Sequence, residues 1–182
     1  GSYSYTVNQN NATVQALNTG TNVSEQFTYT VKDPGGLPST ATITVTVNGA
    51  NDAPIVSSEL ANTTATAGTA FSYTVPASSF TDVDSTLTYT ATREDGSPLP
   101  AWLTFNAATR TFSGTPTSTA DFSVKVTASD GTASISDTFV LGVAPVANTV
   151  AITSASGAQN NLLNAGDTVT ATVNFSEIVT VT

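Results

Sequence analysis

The chain has 182 residues, a formal net charge of −9, and no cysteine, methionine or histidine. This composition excludes disulfide bracing, thiolate metal sites and every mechanism that needs a histidine. Four basic residues against thirteen acidic ones cannot neutralise phosphates, so nucleic acids and anionic membranes are poor partners, whereas divalent cations are good ones.

Threonine, with 36 copies, dominates the composition, while charged residues make up only 9% of the chain. An ordinary soluble domain carries roughly 25% charged residues. Threonine is β-branched and favours the half-buried surface of a strand over a helix. The composition therefore predicts an all-β protein.

Alternation of apolar and polar residues predicts the strands in chain order. Residues 1–50 contain predicted strands at Tyr3–Asn8, Glu25–Lys32 and Thr40–Asn48, and a short one near Ala12–Leu17. Residues 51–146 contain seven, which suffice for one complete β-sandwich: Ile55–Ser58, Phe71–Val75, Leu87–Arg93, Trp102–Phe105, Arg110–Ser113, Phe122–Ala128 and Ser134–Leu141.

Residues 147–182 contain three predicted strands, at Val150–Ser154, Thr168–Phe175 and Ile178–Thr182. Neither this segment nor residues 1–50 can bury enough surface alone to offset its chain entropy. Either the two segments complete one split sandwich around the inserted middle domain, or each pairs with a neighbouring molecule. We favour the split domain, whose halves are residues 1–50 and 147–182.

The sequence has no apolar run long enough to span a membrane, so direct membrane insertion is not expected. The chain starts at Gly1 and stops at Thr182 in the middle of a strand pattern. We therefore expect a monomeric fragment of a longer protein, whose secretion signal lies elsewhere.

Three stretches resemble known modules. Residues 1–54, from Gly1-Ser2-Tyr3-Ser4-Tyr5-Thr6 to Gly49-Ala50-Asn51-Asp52-Ala53-Pro54, resemble the second half of a VCBS repeat. Residues 52–143 resemble a dystroglycan-type cadherin-like domain of an immunoglobulin-like family, through Phe80-Thr81-Asp82-Val83-Asp84, Leu99-Pro100-Ala101-Trp102-Leu103, Phe112-Ser113-Gly114-Thr115-Pro116 and Ala128-Ser129-Asp130-Gly131. Residues 148–182, with Leu163-Asn164-Ala165-Gly166-Asp167 and Phe175-Ser176-Glu177, resemble the start of a bacterial immunoglobulin-like repeat.

Such modules occur together in giant repeats-in-toxin adhesins of Gram-negative bacteria, including a very large ice-binding adhesin with a ligand-binding region. The resemblance implies an extracellular location on the bacterial surface and a role in cell adhesion and biofilms. It implies a cadherin- or immunoglobulin-like β-sandwich, inserted in or flanked by the split domain. It also implies that the middle module binds a peptide or protein in a calcium-dependent way.

The residues themselves point to a cation site. If the seven strands alternate in direction, the linker into the middle domain and two of its turns fall at the same end of the sandwich. These segments carry five oxygen-bearing side chains without a basic neighbour: Asn51, Asp52, Asp82, Asp84 and Asp130. Packed carboxylates repel one another, and a hard cation relieves the repulsion.

Ca²⁺ accepts six to eight oxygens in a flexible geometry and suits this set, including the backbone carbonyl of Val83. The resemblance carries calcium ligation to the same positions. The alternative is that these aspartates only cap turns. Asp82, Asp84 and Asp130 are also the residues expected to present the ion to a ligand.

Other residues have simpler interpretations. The second linker, Gly142–Asn148, contains no acid, and only Asp121 and Glu177 could approach it. Glu94-Asp95-Gly96 is typical of a hairpin turn, while Asp33 and Asp167 are expected to lie in turns of the split domain. Trp102 is expected to pack in the core rather than to offer a platform to a sugar.

These observations leave three functional hypotheses. The first is a calcium-dependent module that binds an extracellular protein or peptide. The second is a structural extender that calcium stiffens, and a carbohydrate-binding module, with a glycan in place of the peptide, is a further alternative to the first. The third, a glycosidase using Asp82 and Asp84, is disfavoured because a small sandwich rarely holds a sugar-sized cleft between two tuned carboxyls. We therefore expect a protein that is not an enzyme.

Overall fold

The computed structural model describes residues 3–156 and 168–175. Nearly all the regular structure in these ranges is extended, as the composition predicts. The elements in chain order are α1 (Ala12–Gln15), β1 (Asn22–Lys32), β2 (Pro38–Asn48), β3 (Ile55–Val56), β4 (Thr63–Thr66), β5 (Phe71–Thr74), β6 (Phe80–Thr81), β7 (Thr88–Arg93), β8 (Leu103–Asn106), β9 (Thr111–Gly114), β10 (Phe122–Ser129), β11 (Ser134–Ala144), β12 (Ala147–Ser156) and β13 (Thr168–Phe175).

The first two strands form an antiparallel hairpin in which Phe27 lies opposite Ile43 and Tyr29 opposite Ala41. Because successive side chains point to opposite faces, one face of this hairpin is apolar and the other is rich in threonine. The turn between the strands is held by Asp33, whose Oδ1 accepts a hydrogen bond from the Leu37 N–H at 2.9 Å.

The residues before this hairpin differ from the prediction. Tyr3–Asn8 is not a strand, and Ala12–Gln15 is one turn of helix rather than a strand. The helix begins here because the Asn11 side chain accepts a hydrogen bond from the Thr13 N–H, which satisfies one of the free donors at a helix start. This capping interaction outweighs the weak alternation of the segment.

The middle of the chain forms a β-sandwich. One sheet has the strand order β4-β11-β10-β7, and the facing sheet has the order β5-β9-β8. Aromatic side chains from both sheets meet in the core, where Phe112 packs edge-on against Phe139 with ring centroids 5.7 Å apart. Tyr73 lies 5.2 Å from Phe139, and Phe105 lies 4.5 Å from Phe112. Phe112 is fully buried.

All seven strands predicted in the middle of the chain are present, with ends that differ by a few residues. Two further strands, β4 and β6, were not predicted. β4 pairs in parallel with the end of β11, with Thr63 opposite Leu141, and β6 pairs with β3. Both are short and are created by distant partners, so the local pattern gives little sign of them.

The last described strands, β12 and β13, form an antiparallel hairpin. The prediction of Thr168–Phe175 is confirmed, whereas β12 is longer than predicted. The expected linker Gly142–Asn148 is mostly strand, because β11 continues to Ala144 and β12 starts at Ala147. The predicted strand Ile178–Thr182 lies outside the described residues.

The chain divides into two compact units. The first consists of Gly1–Ser58, Ser78–Thr88 and Thr127–Ser136, and the second of Glu59–Ala77, Tyr89–Val126 and Asp137–Thr182. The domain boundaries predicted from the sequence, including the split domain, stay a prediction. The described helix has four residues, and nothing helical in the described ranges is long and apolar enough to cross a membrane.

Candidate functional site

The turn after β6 is organised by Asp82. Its Oδ1 accepts hydrogen bonds from the backbone N–H groups of Asp84, at 3.0 Å, and Ser85, at 2.8 Å. An aspartate that bonds its own backbone two and three residues on forms an Asx-turn. Val83, between the two aspartates in sequence, is 55% exposed.

The turn between β10 and β11 is built in the same way around Asp130. Its Oδ1 accepts the N–H groups of Thr132 and Ala133, both at 2.6 Å. Gly131 follows with φ +96°, a conformation that a residue with a side chain rarely adopts. The turn therefore holds the Asp130 carboxylate in a fixed orientation.

The linker before β3 joins both turns. Asn51 donates through Nδ2 to Asp130 Oδ2 at 2.9 Å, and the Asp52 N–H donates to Asp84 Oδ2 at 3.0 Å. The structure thus brings together the three segments that the sequence analysis grouped. We call these five residues the junction cluster: Asn51, Asp52, Asp82, Asp84 and Asp130. All five lie within the first compact unit.

Two carboxylate oxygens of the junction cluster are left over from this network. Asp82 Oδ2 and Asp84 Oδ1 are both buried and have no hydrogen-bond partner among the residues that the structure describes. Leaving a buried polar group unpaired is unfavourable, and more so when the group is charged. The Asx-turn accounts for one oxygen of Asp82 and the linker N–H of Asp52 for one oxygen of Asp84, and the second oxygen of each aspartate is left unexplained. These two oxygens are therefore the strongest indication that the cluster binds a further group, such as a cation.

Hydrogen bonds favour the ionised form of two carboxyls of the cluster, Asp84 and Asp130. The Asp52 N–H lowers the pKa of Asp84 below its ordinary value, with a smaller opposing effect of desolvation and of the nearby Asp130 charge. The pKa of Asp130 is lowered chiefly by the Ala133 N–H, and then by the Asn51 amide and the Thr132 N–H. Hydrogen bonds to the charged form favour that form, so both groups are anionic at neutral pH.

The donor set of the cluster is made of oxygens, which suits a hard cation better than zinc, because zinc prefers nitrogen and sulfur ligands. Within the described ranges, no three acidic side chains are gathered closely enough to hold a metal ion as they stand. A cation site here would thus combine the two unpartnered carboxylate oxygens with amide and backbone oxygens, including the Val83 carbonyl named in the prediction.

Sequence reasoning missed two residues that support the cluster. Asn18 donates through Nδ2 to Ser85 Oγ at 2.6 Å, which ties the loop before β1 to the Asp82 turn. The same loop packs so tightly that a Cβ at Gly49 would overlap the backbone oxygens of Leu17 and Asn18. No local signal marks either contact, because 67 residues separate Asn18 from Ser85.

The other candidate acids behave as turns or supports. Asp95 accepts hydrogen bonds from the N–H and Oγ of Ser97, which confirms the predicted turn. Asp121 Oδ1 accepts the Val143 N–H at 2.8 Å, so Asp121 does approach the end of β11. Glu177 and Asp167 lie outside the described residues. Trp102 is only half-buried, contrary to the expectation of a core position.

Comparison with solved structures finds several proteins at low similarity. The chain is 25% identical to an endo-fucoidan hydrolase of glycoside hydrolase family 107, with a TM-score of 0.44, covering 72% of this chain and 19% of that one. It is 16% identical to the titin domains Z1Z2 solved in complex with telethonin, with a TM-score of 0.40, covering 66% of this chain and 60% of that two-domain chain.

A third similar structure is the N-terminal eight immunoglobulin domains of the Down Syndrome Cell Adhesion Molecule. The identity is 15% and the TM-score 0.34, covering 72% of this chain and 16% of that one. The chain thus spans only about a fifth of the length of the glycoside hydrolase. A comparison with curated proteins gives no match.

A family profile gives a more specific result. Residues 53–144 match the family described as "Putative Ig domain". This range covers both sheets of the sandwich and contains Asp82, Asp84 and Asp130, while Asn51 and Asp52 lie just before it. The immunoglobulin-like β-sandwich predicted from the sequence is confirmed, and the chain belongs to the Putative Ig domain family.

Proposed function

We propose that this chain is a calcium-dependent, ligand-binding module of a bacterial cell-surface adhesin, and that the junction cluster holds the ion. An immunoglobulin-like domain is consistent with an extracellular adhesion or structural module. The motifs described above, which resemble those of repeats-in-toxin adhesins, support the bacterial surface as its location.

The calcium site rests chiefly on the pair of buried oxygens Asp82 Oδ2 and Asp84 Oδ1, which receive no hydrogen bond from the described part of the chain. The chain contains no histidine, and its four basic residues do not neighbour these turns in sequence. When bound, Ca²⁺ supplies a local positive charge and coordination positions that protein, water or ligand oxygens fill. Asp82, Asp84 and Asp130 hold the charge of the site, while Asn51 and Asp52 bring the linker to it.

A carboxylate group of the ligand is well suited to bind at such a site. The chain is acidic overall, so an anion is repelled unless a bound cation reverses the local sign. Exposed Asp52 and Val83 leave the rim of the cluster open to solvent. The proposed ligand is therefore a peptide or protein that offers a terminal or side-chain carboxylate. We expect roughly micromolar affinity, because a short peptide buries little area and loses freedom on binding.

A structural role is the second candidate, and a specific observation favours it. The hydrogen bonds from Asn51 to Asp130 and from Asp52 to Asp84 fix the linker directly onto the domain, and the bond from Asn18 to Ser85 adds a third attachment. An ion at this point would stiffen the junction without any ligand. In this case calcium binds, but no peptide does.

Calorimetric titration of Ca²⁺ into the chelator-treated chain tests the site. We expect saturable binding and a higher melting temperature. Asp84→Asn should weaken binding at least tenfold, because it removes charge at an unpartnered oxygen. Asp95→Asn is the matched control, since it removes the same charge from an exposed turn. No heat of binding and no change in melting temperature would contradict the calcium site.

A peptide array with free carboxyl termini then separates the two candidates. Binding that disappears with chelator and returns with Ca²⁺ supports the ligand-binding module. If calcium binds but no peptide does, and small-angle scattering shows that calcium removal loosens the junction, the extender is the correct function.

A further inference from the structure

A recess lies in the second compact unit, on residues outside the junction cluster. It has a volume of about 240 Å³ and combines aromatic, charged and hydroxyl side chains, chiefly Arg93, Trp102, Thr117, Ser118, Asp121 and Phe122. Small-molecule sites commonly pair an aromatic wall with a few polar groups at fixed positions. This composition makes the recess a candidate binding site.

The aromatic wall of the recess is held rigidly. Trp102 and Phe122 pack edge to face, with ring centroids 6.1 Å apart and an angle of 75°. The Leu103 N–H donates to the Pro100 carbonyl at 2.9 Å, which fixes the turn that carries Trp102. A Cβ at Gly114 would overlap the Trp102 carbonyl oxygen, so this backbone lies directly against β9. A ligand that stacks here therefore meets a pre-formed surface.

Arg93 brings a positive charge to the recess and Asp121 a negative one. Its guanidinium carbon lies 4.9 Å from the centroid of the Phe122 ring, a cation–π distance. Two carboxylate oxygens near it have other donors, since Asp95 Oδ1 is held by Ser97 and Asp121 Oδ1 by the Val143 N–H, although the Arg93 charge also helps to lower the pKa of Asp95. The planar fork of Arg93 is thus in position for a carboxylate from outside, which arginine binds through two parallel hydrogen bonds.

We propose that this recess binds an acidic sugar residue of a glycan. The apolar face of one pyranose ring would stack on Trp102, its carboxylate would pair with Arg93, and its hydroxyls would bond to the rim residues Thr117 and Ser118. A carboxylate alone leaves the aromatic wall unused, and a neutral sugar leaves Arg93 unused. The site goes beyond the proposed function, because its residues are separate from the junction cluster and it needs no calcium.

Trp102 is the only tryptophan of the chain, so its fluorescence reports on this recess. We would titrate the intact chain, in chelator, with glucuronic, galacturonic and N-acetylneuraminic acid, and in parallel with glucose, acetate and a peptide with a free carboxyl terminus. We expect a saturable change with at least one acidic sugar, at a Kd of roughly 0.1–1 mM. Glucose and acetate should bind at least tenfold more weakly.

Arg93→Gln should weaken binding of that sugar about tenfold, because the paired hydrogen bonds are lost. Lys125→Gln is the matched control, a charge removal on the neighbouring strand β10, and should change Kd less than twofold. If Arg93→Gln fails to fold, Arg93→Lys keeps the charge but not the planar fork, and should also weaken binding.

Absence of saturation with all three acidic sugars, equal binding by both Arg93 variants and the native chain, or preference for the peptide would overturn the proposal. A response that requires Ca²⁺ would also overturn it. Since calcium binding by the junction cluster is measured separately, failure here leaves the proposed function untouched.

Discussion

The β1–β2 hairpin and the sandwich carry the same alternating pattern, yet they bury it very differently. In the hairpin, Phe27 and Tyr29 are each 46% exposed and Val31 is 55% exposed. In the sandwich, Phe112 is 0% and Phe139 2% exposed, because a second sheet covers them. Alternation identifies which face of a strand is apolar, but a facing layer decides whether that face becomes a core.

The hairpin has a concave apolar surface on this face. Tyr5 packs against Phe27 with ring centroids 6.1 Å apart and donates its hydroxyl to Glu25 at 3.1 Å. This cover is partial, since Tyr3 remains 74% exposed. A two-stranded hairpin is marginally stable alone, so the hairpin needs a further layer, which we predict residues 147–182 provide as the second half of the split domain.

The largest effect that the comparison of hairpin and sandwich predicts is seen when the two parts of the chain are expressed separately. Residues 51–146 expressed alone should stay folded, because both sheets of the sandwich lie within this range. Residues 1–50 alone should be disordered, since their apolar face has no partner. Circular dichroism and dispersion of amide resonances measure both outcomes. A folded, monomeric 1–50 fragment would show that the hairpin needs no second layer and would contradict the split domain.

Truncating one aromatic residue in each region sharpens the comparison. Phe112→Ala should lower the free energy of unfolding by about 3–5 kcal/mol, because it leaves a cavity in a fully packed core. Phe27→Ala should cost less than about 1 kcal/mol in the intact chain if its ring stays half-exposed. Denaturant unfolding of both variants measures the difference. A cost for Phe27→Ala equal to that of Phe112→Ala would contradict this difference, because it would mean that the Phe27 ring is as fully covered in solution as that of Phe112.

The smallest predicted effect is a pH dependence of stability. It arises from the junction cluster, whereas the apolar core contributes none. Asp84 and Asp130 have lowered pKa values, so their stabilisation is present above their ordinary value of 3.8 and is lost as the pH falls through the folded-state value. We therefore expect the melting temperature of the calcium-free chain to be nearly constant from neutral pH to about pH 4 and to fall below it.

Asp84→Asn should flatten this fall in melting temperature, while Thr28→Ser, on the polar face of the hairpin, should leave it unchanged. A melting curve that already declines between pH 7 and pH 5 would contradict the assignment to these two carboxyls.

Much of the architecture follows from the sequence by itself, because strand alternation and turn chemistry are local. The range Thr168–Phe175, the turn at Asp95-Gly96 and the three segments of the junction cluster could all be named from neighbouring residues. The grouping of Asn51, Asp82 and Asp130 needed only one further rule, that successive antiparallel strands return the chain to the same end of a sandwich.

The remaining features depend on partners that are distant in the chain. β4 becomes a strand only because β11 lies beside it, and Asn18 supports Ser85 only because folding brings their loops together. The tertiary structure likewise decided which oxygen of Asp82 and of Asp84 is used by the backbone and which is buried without a partner. Hydrogen bonds between segments far apart in sequence leave no periodic trace, so only the folded chain determines them.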